Sequence, residues 1–216
     1  MTGSKSALVA TVVVFILAVA AAVFAFWYIG GDSQSGGDIA SIPDDDVFEP
    51  TADERAEMTD AADRLIKNNH RVVQLFLTQG LPALPEPYGN RPENDIYYVD
   101  SDEYLTLNDI STLVFDTFSG AEAERIMDGT TNFGNPFFRG AVYYDKDGSL
   151  GIHMNFQPYE DYPVNWTNPS YQLSPVSADE CLLTLELSID NQRATFVRTM
   201  SKRGNHWELD RIILNE

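Results

Sequence analysis

The chain has 216 residues and a formal net charge of −19; all 33 acidic residues but only 13 of the 14 basic ones follow Gly30, which leaves that part at −20. A surface of that sign repels nucleic acid and anionic lipid headgroups, and it suits either a basic partner or solubility alone. Cys181 is the single cysteine, which excludes an intramolecular disulfide, so a folded domain here is held by its hydrophobic core.

Ala7–Ile29 is an uncharged apolar run, close to the ~20 residues a helix needs to cross the hydrocarbon core. Trp27 and Tyr28 close it, where amphipathic rings favour the headgroup level, and Lys5 is the only basic residue before it. The expectation is a single-pass membrane anchor with residues 1–29 as cytoplasmic stub and span, and with everything after it outside. The alternative is a signal peptide cut near Ala18-Val19-Ala20. The apolar run continues past that point through Val23, Phe24 and Phe26, whereas a signal h-region ends after about 7–15 residues.

Residues 30–50, rich in Gly, Ser and Asp and without periodicity, read as a flexible linker. Asp44, Asp45 and Asp46 read as solvated charge, because nothing around them fixes the oxygens a cation needs. An outer α+β domain is expected over 51–216. Thr51 and Glu54 have capping-box spacing, and Met58, Ala62, Leu65, Val72 and Phe76 form one apolar stripe, which predicts a helix from Thr51 to Gln79. Pro82, Pro85, Pro87 and Pro92 forbid a regular helix over Leu81–Asn94. Ile96–Val99 reads as a short strand. Thr106 and Asp109 open a helix with Ile110, Leu113, Val114 and Phe118 inward, and Ser119 with Glu122 has the spacing of another capping box for a short helix through Met127.

From Phe137 the period changes to two. The pattern predicts strands at Phe138–Tyr144, Leu150–Phe156, Tyr171–Val176, Cys181–Ile189, Arg193–Ser201 and His206–Leu214. Lys146-Asp147-Gly148, Asp190-Asn191 and Arg203-Gly204-Asn205 carry hairpin chemistry. Helices first and an antiparallel meander after them argue α+β, with helices laid on one face of a curved sheet. Cys181 alternates with Leu183, Leu185, Leu187 and Ile189, the pattern of a small buried hydrophobe rather than a nucleophile.

No phosphate-binding Gly loop, nucleophile elbow or zinc-binding helix motif occurs, so no catalytic residue, metal ligand or cofactor is expected. His70, His153 and His206 are far apart and read as surface or packing residues. Asp145-Lys146-Asp147-Gly148 begins like a Ca²⁺ loop but lacks the later acidic ligand, and a hairpin turn explains it without a metal. Gln157–Tyr171 is the most informative stretch: Tyr159, Tyr162, Trp166 and Tyr171 lie among Pro, Asn and acidic residues. Such rings either serve recognition, because they offer rigid area with a polar tip, or fold back to plug the sheet edge. Asn165-Trp166-Thr167 also matches a glycosylation acceptor, which has meaning only in a eukaryotic source.

Two stretches carry a resemblance. Arg203-Gly204-Asn205-His206-Trp207-Glu208-Leu209-Asp210-Arg211-Ile212 resembles the final hairpin of NTF2-like and cystatin-like α+β domains. Tyr97-Tyr98-Val99-Asp100-Ser101, followed by Tyr104, Leu107, Ile110, Phe118 and Ile126, is similar to a family of secreted bacterial proteins that includes inhibitors of cell-wall DL-endopeptidases. The likeness runs in outline from Asp53 to Leu214. The chain departs from that family at Arg139-Gly140-Ala141-Val142-Tyr143, where a Gly-Lys-Leu-Tyr strand is expected, and in carrying an anchor in place of a cleaved signal. The resemblance implies an extracytoplasmic domain and, more remotely, regulation of cell-wall hydrolases.

Three functions are open to such a chain. The first is a membrane-anchored binding module for a protein or cell-envelope component, acting through Tyr159, Tyr162, Trp166 and Tyr171. The second is an enzyme or small-ligand-binding domain with a pocket in the sheet cone. The third is an accessory structural subunit of a membrane complex. A deep pocket around a perturbed acid favours the second, and an exposed aromatic patch favours the first.

Overall fold

Thr51 starts the first helix as its spacing predicts. Its hydroxyl accepts from the Glu54 N–H, and the Glu54 carboxylate accepts from Thr51 N at 2.7 Å. The computed structural model describes residues 48–84, 95–131, 133, 135–190 and 192–214. Ala7–Ile29, the linker through residue 47 and most of the proline-rich stretch lie outside the described residues; among those described, no helix is long and apolar enough to cross a membrane.

Helix α1 runs Ala52–Val73 and continues as a π-wound turn, Gln74–Thr78. The Gln74 carbonyl there accepts from both Gln79 N (2.9 Å) and Gly80 N (3.0 Å), and Gly80 leaves at φ +68°. Strand β1 (Ile96–Tyr98) follows, then α2 (Leu107–Phe115) and α3 (Gly120–Met127). The α2 capping box between Thr106 and Asp109 forms. The box expected at Ser119 does not. Ser119 Oγ donates to the Asp210 carbonyl, and Glu122 is buried with one oxygen accepting from Ile212 N at 3.1 Å. Tertiary partners have taken both side chains away from the local cap.

The strands are antiparallel, but the single meander expected from Phe138 is corrected. They divide into a three-stranded sheet, β1-β3-β2, and a four-stranded sheet, β4-β5-β6-β7. In chain order these are β2 (Tyr143–Lys146), β3 (Ser149–His153), β4 (Val164–Ser177), β5 (Glu180–Ile189), β6 (Gln192–Arg203) and β7 (His206–Leu209). The small sheet recruits β1 from before the helix pair, and the irregular stretch 154–163 separates the two sheets. Each expected strand exists with shifted ends. The last ends at Leu209, and Ile212–Leu214 leave the ladder to be buried under α1 and α3.

One face of the larger sheet is the core. Cys181, Leu183, Leu185 and Leu187 point to it from β5, joined by Met200, Trp207 and Leu209 from the neighbouring strands; all seven are buried. The α1 stripe of Met58, Ala62, Leu65 and Val72 covers them. The opposite face is open, with Leu182 and Val197 among its exposed residues. Helices packed on one face of a curved antiparallel sheet make an α+β fold compatible with the NTF2-like arrangement. The π-wound end of α1 meets the small sheet instead: Tyr143 donates its hydroxyl to the Leu75 carbonyl at 2.9 Å, and its ring meets Phe76 edge-on.

Candidate functional site

The site forms where the chain passes from the small sheet to the large one, against the end of α1. Residues 154–163 make that passage, pinned by Tyr159 N donating to the Leu77 carbonyl at 2.7 Å in the π turn. Tyr162 N then donates to the Tyr159 carbonyl at 3.1 Å, which holds the two rings edge-to-face at 5.8 Å. Phe137, 57% exposed, meets Tyr159 on its other side at 5.9 Å.

The long aromatic loop expected over Gln157–Tyr171 is corrected: from Val164 onward it is strand β4. A bulge hides this from the sequence. Asn165 pairs with Ser188 and Ser170 with Glu186, so residues 166–169 stand opposite Leu187 alone. A wide insertion of this kind bends the strand and re-aims its side chains. The Asn165 carboxamide oxygen accepts from Thr167 N at 2.8 Å and fixes the turn within the bulge. The bulge carries Trp166 toward α1, where its ring stacks on His70 at 4.9 Å with 8° between the planes. The indole Nε1 is shielded and meets no acceptor among the described residues.

Tyr171, beyond the bulge, donates its hydroxyl to Asp63 on α1 at 2.7 Å; burial and then that carboxylate push its ionisation up to about 12. His70 is half-buried. Its imidazole is held below the ordinary value by burial, with the adjacent Arg71 acting in the same direction, so it is neutral at pH 7. Arg71 itself turns away to Glu103 (2.6 Å) and to the Tyr104 ring.

A cleft of about 730 Å³ opens beside the stack. His70, Gln74, Gln79, Glu160, Tyr162 and Trp166 line it, together with the buried Val73 and Val164. A smaller hollow of about 260 Å³ also adjoins Trp166 and His70 and is lined by Asp63, Lys67 and Tyr171. Tyr162, Trp166 and Tyr171 thus come together around the end of α1, while Tyr159 stands behind Tyr162. All four rings are partly buried against the core. Both readings of these aromatics describe part of the geometry: each ring folds back onto the core, and two of them wall a cleft.

Sequence reasoning missed His70, Gln74 and Gln79. The signal was present: Asp63, Ile66, His70 and Gln74 repeat at three- and four-residue spacing, a stripe beside the apolar one. His153 is a packing residue beside Phe138, with ring centres 5.1 Å apart. Among the described residues, no group of three or more His, Cys, Asp or Glu is placed to hold a metal ion. No known family pattern matches the chain, and no characterised protein has significant sequence similarity to it.

Proposed function

We propose that the chain is a membrane-anchored, extracytoplasmic binding module that engages a protein or cell-envelope component through the cleft at the His70–Trp166 stack. The observation that carries this reading is the cleft itself: about 730 Å³ of open volume walled by two rigid aromatic rings and by amide side chains. Aromatic anchors at such a place supply contact area at small entropic cost. The anchor rests on the apolar run Ala7–Ile29. The face that an NTF2-like enzyme would hollow into a cone is filled by Cys181, Leu183, Leu185 and Met200, each 0% exposed, which supports binding at the surface over chemistry inside.

The test is Trp166→Ala with Tyr162→Ala in the full chain, with affinity capture from solubilised membranes and a parallel thermal melt. Loss of a partner with the melt unchanged supports the reading. An anchor of this kind contributes about 2 kcal/mol or more, roughly thirtyfold in affinity. Equal recovery of the partner by the variant rules the cleft out.

A further inference from the structure

We infer that the cleft receives a cationic side chain, a lysine or arginine carried on a segment of a protein partner; this rests on the reading of the cleft as the binding site. Of the residues that line it, Glu160 is the one carboxylic acid, and burial disfavours the charged form of His70, the one basic side chain there. The end of α1 contributes Gln74, Thr78 and Gln79 to the wall. A helix carries its partial negative charge at that end, so the backbone adds to the field of Glu160. Tyr162 and Trp166 line it with aromatic rings, whose negative faces hold ammonium and guanidinium groups, and the Gln74 and Gln79 carboxamides offer oxygens as acceptors.

The nearby cations do not cancel this field. Arg71 is committed to Glu103 at 2.6 Å, and Lys67 lies in the smaller hollow together with Asp63. Asp161 follows Glu160, and the part of the chain after Gly30 carries −20 overall, which draws a basic segment in from a distance. A neutral glycan would use the aromatic rings, the amides and the carboxylate as hydrogen-bond partners but would gain nothing from the net negative field.

The full chain in mild detergent is titrated by calorimetry with a glycine–serine peptide, with the same peptide carrying lysine or arginine at alternate positions, and with an N-acetylglucosamine oligomer. The cationic peptides are expected to bind and the other two not. Glu160→Gln should weaken binding about tenfold, as loss of a charged hydrogen bond does. Asp179→Asn, which removes the same charge at the far end of β4, should change it less than about twofold. Equal loss in both variants means diffuse attraction to an acidic surface and overturns the inference. Glycan binding that Trp166→Ala abolishes also overturns it, while keeping the cleft as a binding site. If no probe binds and Trp166→Ala with Tyr162→Ala still captures its partner, both readings fall together.

Discussion

Asn69 is fully buried near the end of α1, where a carboxamide has no helical reason to be. Its oxygen accepts from Ile213 N at 2.8 Å and its nitrogen donates to the Ile213 carbonyl at 3.4 Å, so one side chain satisfies both backbone groups of a buried residue. Asn69→Leu keeps the γ-branched shape, though with a larger side chain, and leaves both Ile213 groups unpaired. The expected cost is about 2 kcal/mol, a fall in Tm of roughly 4–8 °C for a domain of this size. Asn69→Asp, which keeps the acceptor, should at least preserve the Ile213 N–H bond; thermal melts of the two variants check whether they differ. Cys181 gives the complementary case of a buried group with nothing to do. It is 0% exposed, and burial pushes its thiol up from the ordinary value. Native protein should therefore resist a thiol reagent at neutral pH and react only when denatured. Rapid native labelling would contradict the burial.

At the scale of elements, the two helix starts that the sequence predicts well are also those that titrate. Hydrogen bonds from Thr51, backbone first, hold Glu54 below the usual carboxylate range, and backbone N–H groups of Thr106 and Leu105 do the same for Asp109. A depressed folded pKa means that the stabilisation is present above the unfolded value, near 4, and is lost as pH falls through the folded one. The melting temperature should drop on acidification below about pH 4, and less steeply in a Glu54→Gln, Asp109→Asn variant. Gly129 makes a second prediction. It ends α3 at φ +74°, and a Cβ there would lie 1.9 Å from the Gly140 carbonyl carbon. Gly129→Ala must displace backbone and should abolish or severely depress the cooperative melt. Gly148→Ala, at φ +80° but facing open space, should cost only about 1 kcal/mol. These local devices were legible because each is written in three or four adjacent residues. The Ser119 cap misled for the same reason, since Ile212 and Asp210, distant in sequence, took its two side chains. The bulge at 166–169 left no local mark either, and with it went the start of β4.

For the whole molecule, the alternation of Cys181, Leu183, Leu185 and Leu187 was enough to find the strand and its inward face, and helices before strands were enough for α+β. The division into two sheets was not legible, because β1 reaches β3 across α2 and α3 and no period records such a pairing. Half of the candidate site was legible as an aromatic cluster. The other half, His70 and the π turn, belongs to a helix far away in sequence. The sheet edges are guarded. Residues 117–119 hydrogen-bond along β7 through Leu209, and β4 carries its bulge with Pro169 and Pro175. Phe48 packs on the core, and the Pro50 carbonyl accepts from Arg55 Nε at 3.1 Å. A truncation that begins at Phe48 should therefore be soluble, monomeric and folded, and should melt above one that begins at Thr51. Calorimetry with size-exclusion chromatography checks both statements.

The pairing of Asn69 with Ile213 spans 144 positions, and it sets a timetable. A growing chain presents the apolar stripe of α1 early, while the strands that cover it are made well after it. Until Trp207, Leu209 and Ile213 emerge, α1 lacks part of the core it packs on, and β6 lacks its partner β7. Distant pairings of this kind close late and slowly. Nascent chains halted before His206 should thus stay open to protease and prone to capture by chaperones, and resistance should arrive in one step once residues 206–213 are free.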